Sequence, residues 1–244
     1  MSDVTLMLGD CRNVLRDMPD GAVDVVVTDP PYPFLKGGIT SMGKTGVAPS
    51  KQVSTTVGTP WGNELEALRE FKRVARYGAI VFCSWRYIGE IRELCGGEAV
   101  GLVTWYKRNS QGSLRNRPHY QCEYAWLIEY ASGMNWRPIK TFYDIAGLPA
   151  GCFASERVLL DGTGKAAHPT QKPVEIMGAV LNACPAGAKV LDPFLGSGTT
   201  GVACVEMGFD FVGVEINPAY HAIAQRRIEA AQSQGIFDLE AQAQ

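Results

Sequence analysis

Paired cysteines are missing from this sequence. Its seven cysteines (11, 83, 95, 122, 152, 184 and 204) are scattered and odd in number, with no CxxC pair and no cluster with the three histidines. That excludes a secreted disulfide frame and leaves no zinc-ligand spacing, so no metal is expected. No apolar run approaches the ~18 residues of a membrane span. Met1-Ser2-Asp3 is not followed by a basic stretch and an apolar core, so the expectation is no signal peptide and a reduced, cytoplasmic, soluble protein. Its 244 residues suit one large domain, or one domain with an insertion. A chain of that size buries roughly three-quarters of its unfolded surface and needs no staples.

Charge of either sign is also scarce as a net quantity, at −2, but it is unevenly spread. Asp3, Asp10, Asp17, Asp20, Asp24 and Asp29 crowd the first 32 residues against Arg12 and Arg16. Lys36, Lys44 and Lys51 stand without an acid in 33–60. Lys107, Arg108, Arg115, Arg117, Arg137 and Lys140 outweigh Glu123, Glu129 and Asp144 in 101–145. Two basic segments on an otherwise acidic chain suggest a face for a polyanion, against the plainer reading of solvated loops.

Short β-rich runs alternate with helical patterns. Strands are expected at 4–8, 23–28, 79–84, 100–106, 122–130, 188–191 and 209–214. Helices are expected near 11–17, at 61–76 with Gly78 as its stop, and at 87–95, 173–184, 199–207 and 218–232, with a frayed tail from Ser233. Pro173 is placed in the first turn of its helix. The stretches 30–60 and 131–167 read as irregular. Such alternation means an α/β fold with a mainly parallel sheet, whose ligands bind beyond the carboxyl ends of the strands.

Two loops fall at such ends. Asp29-Pro30-Pro31-Tyr32 follows the Val23–Thr28 run. Its prolines stiffen the backbone and remove two N–H donors. The Pro30 carbonyl and Asp29 carboxylate then form an acceptor pair suited to an amino group, and Tyr32 offers a face for a planar base. A plain turn ending a strand is the alternative. The second loop is Asp192-Pro193-Phe194-Leu195-Gly196-Ser197-Gly198-Thr199-Thr200. Its glycines permit close backbone approach, and a helix N-terminus offers N–H groups to an anion. Glu215 ends the next strand, where an acid is placed for ribose hydroxyls.

Together the loops resemble the DNA amino-methyltransferases that use S-adenosylmethionine. Catalytic motif, variable region and cofactor motif come in the order of the β group, a circular permutation of the Rossmann-like methyltransferase fold. Further matches are Gly9-Asp10, Trp105-Tyr106-Lys107 and His168-Pro169-Thr170-Gln171-Lys172-Pro173. The resemblance implies a core of 1–107 and 168–244, with 108–167 as a small target-recognition insertion. It implies that Asp29 and the Pro30 carbonyl, backed by Pro31, hold the target amine and that Tyr32 stacks on its base. It further implies that Asp192, Phe194, Gly196, Ser197, Gly198, Thr199 and Thr200 line the cofactor pocket. Glu215 would take the ribose, Asp10 the adenine edge, and His168, Thr170 and Lys172 the methionine end. Asp10 could instead simply cap a helix at Cys11. Lys36, Lys44, Arg108, Arg115 and Arg117 are the DNA-contact candidates. Double-stranded DNA is the implied substrate, flipped adenine the implied target, and a homodimer the implied assembly.

Competing readings are weaker. Asp29 favours adenine N6 over cytosine N4, whose enzymes more often carry serine there. Intact residues in both loops argue against a silent DNA-binding module. Gly38–Thr45 matches the phosphate-loop pattern G-x4-G-K-T, but no strand precedes it, and Gly46, Pro49 and Ser50 oppose a helix after it. The five tryptophans (61, 85, 105, 126 and 136) are read mostly as core.

Overall fold

A computed structural model describes residues 2–31, 64–106, 122–131, 136–144 and 172–242. The elements run β1 (Val4–Leu8), α1 (Cys11–Asp17), β2 (Val23–Thr28), α2 (Glu64–Val74), β3 (Ala75–Cys83), α3 (Ile88–Cys95), β4 (Glu98–Tyr106), β5 (Cys122–Glu129), β6 (Phe142–Asp144), α4 (Val174–Leu181), β7 (Lys189–Asp192), α5 (Thr199–Met207), β8 (Asp210–Glu215) and α6 (Pro218–Gln242). The strands form one sheet in the order β1-β8-β7-β2-β3-β5-β4-β6. Only β5 runs antiparallel to its neighbours among the described pairings. The mainly parallel α/β sheet expected from the sequence is therefore present. The first strand pairs with the last, parallel to it.

Side-chain alternation builds two cores, one on each face. Ile80 and Phe82 of β3 join Val25, Val27 and residues of α4, α5 and α6. Ala79, Val81 and Cys83 join Val26 and residues of α1, α2 and α3 on the other face. This is the period of two expected of a strand covered on both sides.

Several boundaries differ from expectation. The apolar spacing of Leu68 and Phe71 does bury one face of α2, but the helix ends at Val74 and β3 begins at Ala75. Gly78 is thus no helix stop; it pairs with Glu129 inside the sheet. A Cβ there would lie 2.3 Å from the Ile128 carbonyl oxygen and 3.0 Å from the Trp136 ring, so the close strand approach requires glycine. Pro173 caps α4 from outside the helix, and α6 continues past Ser233 to Gln242. The stretch 108–167 is not wholly an insertion. It supplies β5, lodged between β3 and β4, and β6 at the sheet edge. Among the tryptophans, Trp105 is buried and Trp85 is exposed, with the Arg86 guanidinium over its ring. Trp61 lies outside the described residues.

Candidate active site

β2 and β7 are adjacent and parallel, yet the chain leaves β2 towards β3 and leaves β7 towards β8. The sheet order therefore reverses between them, which opens a crevice at their carboxyl ends. Asp29-Pro30-Pro31 and Asp192-Pro193-Phe194 are the residues that emerge there.

Asp192 ties the two loops together. Its Oδ1 accepts from Thr28 Oγ1 at 2.6 Å and from the Phe194 amide at 3.0 Å; its Oδ2 accepts from Thr200 Oγ1 at 2.6 Å. The carboxyl is buried, and loss of water pushes its pKa up to about 6 against the pull of these three donors. Asp192 and the Thr200 hydroxyl thus brace the crevice from below.

Glu215 closes the far side. Its Oε2 accepts from the Gly196 amide at 2.7 Å and its Oε1 from the Asn217 amide at 2.8 Å. Burial raises its pKa, and those amides oppose the rise. A carboxylate accepts about four hydrogen bonds, so acceptor capacity remains for hydroxyls. Leu8 and Ile216 are large apolar side chains left 56% and 60% exposed. Leu8 is the register partner of Glu215 and Ile216 is its chain neighbour.

The remaining loop residues look inward. Arg227 of α6 donates to the Ser197 carbonyl oxygen at 2.8 Å, to its hydroxyl at 3.3 Å and to the Thr199 hydroxyl at 3.2 Å. Gly198 has φ 85° and caps α5. A Cβ there would come within 2.8 Å of the Ala224 Cβ. The missing side chain at Gly198 thus lets α6 pack close to this loop. Asp10 caps α1, accepting from the Arg12 amide at 3.0 Å and from Arg12 Nε at 2.9 Å. The guanidinium beside it holds its pKa below the usual carboxylate value.

Lys172, expected near a cofactor's methionine end, is paired with Asp29. Its Nζ donates to Asp29 Oδ2 and lies 3.0 Å from Glu123 Oε2. Burial opposes the ammonium, but the two carboxylates outweigh it and raise its pKa. Glu123 and Arg227 were not singled out from the sequence. The antiparallel direction of β5 carries Glu123 to the crevice, because Tyr124 pairs with Cys83 and the residue before it projects past the end of β3. The only signal was an acid opening an apolar strand. Tyr32, His168, Thr170, Lys36, Lys44, Arg108, Arg115 and Arg117 lie outside the described residues. Among the described residues no group of acidic, histidine or cysteine side chains is placed to hold a metal, and no helix is long and apolar enough to cross a membrane.

Known proteins are similar to this chain in sequence or in fold. The type II methyltransferase M.Cfr9I of Citrobacter freundii is 28% identical over 272 aligned positions, covering 94% of this chain and 89% of that protein. The crystal structure of the M1.HpyAVI–SAM complex superposes with a TM-score of 0.63 at 22% identity, covering 92% of this chain and 98% of that one. The PvuII DNA methyltransferase, described as cytosine-N4-specific, gives 0.64 at 14% identity over 93% and 86%. Residues 23–226, which carry both loops, match the family of N6 and N4 methyltransferases described as DNA methylase. The chain belongs to that DNA methylase family.

Proposed function

We propose that this protein transfers the methyl group of S-adenosylmethionine to the N6 amine of adenine at a specific site in duplex DNA. The observation that carries the reading is the Thr28–Asp192 bond, which sets Asp29-Pro30 beside the glycine loop at the sheet's reversal point. The described residues fit the cofactor. Glu215 has acceptor capacity for ribose hydroxyls, and exposed Leu8 and Ile216 beside it suit the faces of a purine. When bound, S-adenosylmethionine supplies an electrophilic sulfonium methyl.

The chain's own part is positioning and electrostatics. Exocyclic amines are poor nucleophiles because their lone pair is delocalised into the ring. Hydrogen bonds from that amine to the Asp29 carboxylate and the Pro30 carbonyl favour a pyramidal nitrogen with a localised lone pair. The base must leave the helix to reach them, and Tyr32 offsets part of the unstacking cost. Lys36, Lys44, Arg108, Arg115 and Arg117 are assigned to DNA on charge grounds. Target recognition is assigned to the parts of 108–167 outside β5 and β6. A homodimer would add contact surface to that small region, since specific interfaces bury ~1,000–2,500 Å² of protein.

Cytosine N4 is the second reading. The similarity in fold to a cytosine-N4-specific enzyme favours it, and the same acceptor pair serves either amine. Aspartate rather than serine at position 29 favours adenine. Expression in a host without DNA methyltransferases, followed by sequencing that identifies modified bases, separates them. N6-methyladenine at one defined site is expected; N4-methylcytosine alone would overturn the adenine assignment.

A further inference from the structure

Three charged side chains from distant parts of the chain meet beside the proposed target amine. Asp29 follows β2, Glu123 opens β5, and Lys172 precedes α4. Lys172 is 7% exposed; its ammonium donates to Asp29, lies 3.0 Å from Glu123 and sits 5.3 Å from the centre of the Phe82 ring. One carboxylate would neutralise a buried ammonium. This one has two, so these three described side chains, all ionised, contribute two negative charges and one positive.

We propose that Glu123 and Lys172 are positioning residues for methyl transfer: Lys172 fixes the Asp29 carboxylate at the target amine, and Glu123 holds the Lys172 ammonium from its other side and adds a second negative charge. The proposal rests on the methyltransferase reading above. As the amine lone pair forms the N–C bond, the C–S bond breaks, and its electron pair stays on sulfur. The positive charge passes from sulfur to the nitrogen, which then loses one proton to solvent. Charge of one sign therefore grows where Asp29 accepts. A lysine paired with Asp29 alone would draw on the same oxygens the amine needs. Glu123 takes a share of that ammonium, and its negative charge lies near the developing cation.

Among the described residues, the other titratable groups around the cluster include Cys83 on β3 and Asp192 on β7. Burial, with Asp29 and Glu123 adding to it, pushes the Cys83 thiol up to about 12, so it stays neutral. Asp192 is turned to Thr28 and Thr200.

The test uses the full chain with S-adenosylmethionine and a DNA substrate, in single-turnover experiments across pH. Glu123→Gln is expected to slow transfer by about tenfold or more, with cofactor and DNA affinities within about twofold of wild type. Glu123→Asp, which keeps the charge, is expected to recover most of the rate. Lys172→Met leaves two carboxylates without their cation, so the acid limb of its rate profile should move to higher pH. Lys172→Arg should leave the limb in place. A folded Glu123→Gln with an unchanged rate and profile overturns the proposal. So does equal loss in Glu123→Asp and Glu123→Gln, because charge would then not be the cause. A wild-type chain that methylates no DNA fails the underlying reading, and the proposal with it.

Discussion

Thr28 and Asp192 are 164 residues apart in the chain and joined by a 2.6 Å hydrogen bond. One ends the strand before Asp29-Pro30-Pro31, and the other begins the glycine loop. Their bond makes two sequence motifs into one crevice. It also gives Asp192 a cost, since its carboxyl is almost fully buried.

That cost is measurable. Folding raises the Asp192 pKa from 3.8 to about 6. The folded state then holds the proton more tightly than the unfolded state, so this group's contribution favours folding most below about pH 4 and fades as pH rises through 6. Asp192→Asn cannot titrate. Denaturant unfolding at pH 4.5 and pH 7.5 should therefore show the variant gaining about 2 kcal/mol relative to wild type at the higher pH. Parallel pH dependence in the two proteins would contradict this.

Gly198→Val is expected to destabilise the fold rather than only block a pocket. A left-handed residue with a side chain costs about 1–2 kcal/mol, and its Cβ would press on Ala224, adding about 1–3 kcal/mol of overpacking. Thermal melting checks it. An unchanged Tm would mean α6 does not sit against this glycine.

Arg227→Ala should loosen the same loop from the other side. It removes three hydrogen bonds to Ser197 and Thr199, a loss of about 1–3 kcal/mol. Weaker cofactor binding should accompany it, because the Gly196 amide of that loop holds the Glu215 carboxylate. Calorimetry that finds full affinity in the variant would show the loop to be held without Arg227.

Arg115 and Arg117 carry a prediction from sequence. If they meet phosphates, replacing each by alanine should weaken all DNA sequences about equally and lower the salt slope by about one unit. A change confined to one base position would show base readout instead. Sedimentation with and without DNA tests the proposed dimer; a strictly monomeric, active species would refute it.

Much of this fold was legible because its signals are local. The β-branched run Val23–Thr28 and the Thr199–Met207 helix after a glycine loop fall where the sequence places them. What was not legible depends on neighbours far along the chain. Gly78 reads as a helix stop until β5 is laid beside it. The direction of β5, and with it the place of Glu123, is a property of the sheet rather than of the segment. Lys172 sits in a motif that pointed to the cofactor, and only the packing of α4 shows it at Asp29. The bonds of Arg227 to Ser197 and Thr199, 30 and 28 residues away, likewise have no local signal.

The most direct test of the account measures methyl transfer from tritium-labelled S-adenosylmethionine to unmethylated duplex DNA, with nucleosides separated by chromatography. Wild type and Asp29→Asn are run side by side, and cofactor affinity is measured for both. Label is expected in N6-methyl-2′-deoxyadenosine for wild type, with a loss of at least about a hundredfold in the variant and similar cofactor affinity. Turnover in Asp29→Asn within about tenfold of wild type, roughly 1.4 kcal/mol of barrier, would contradict the role given to Asp29.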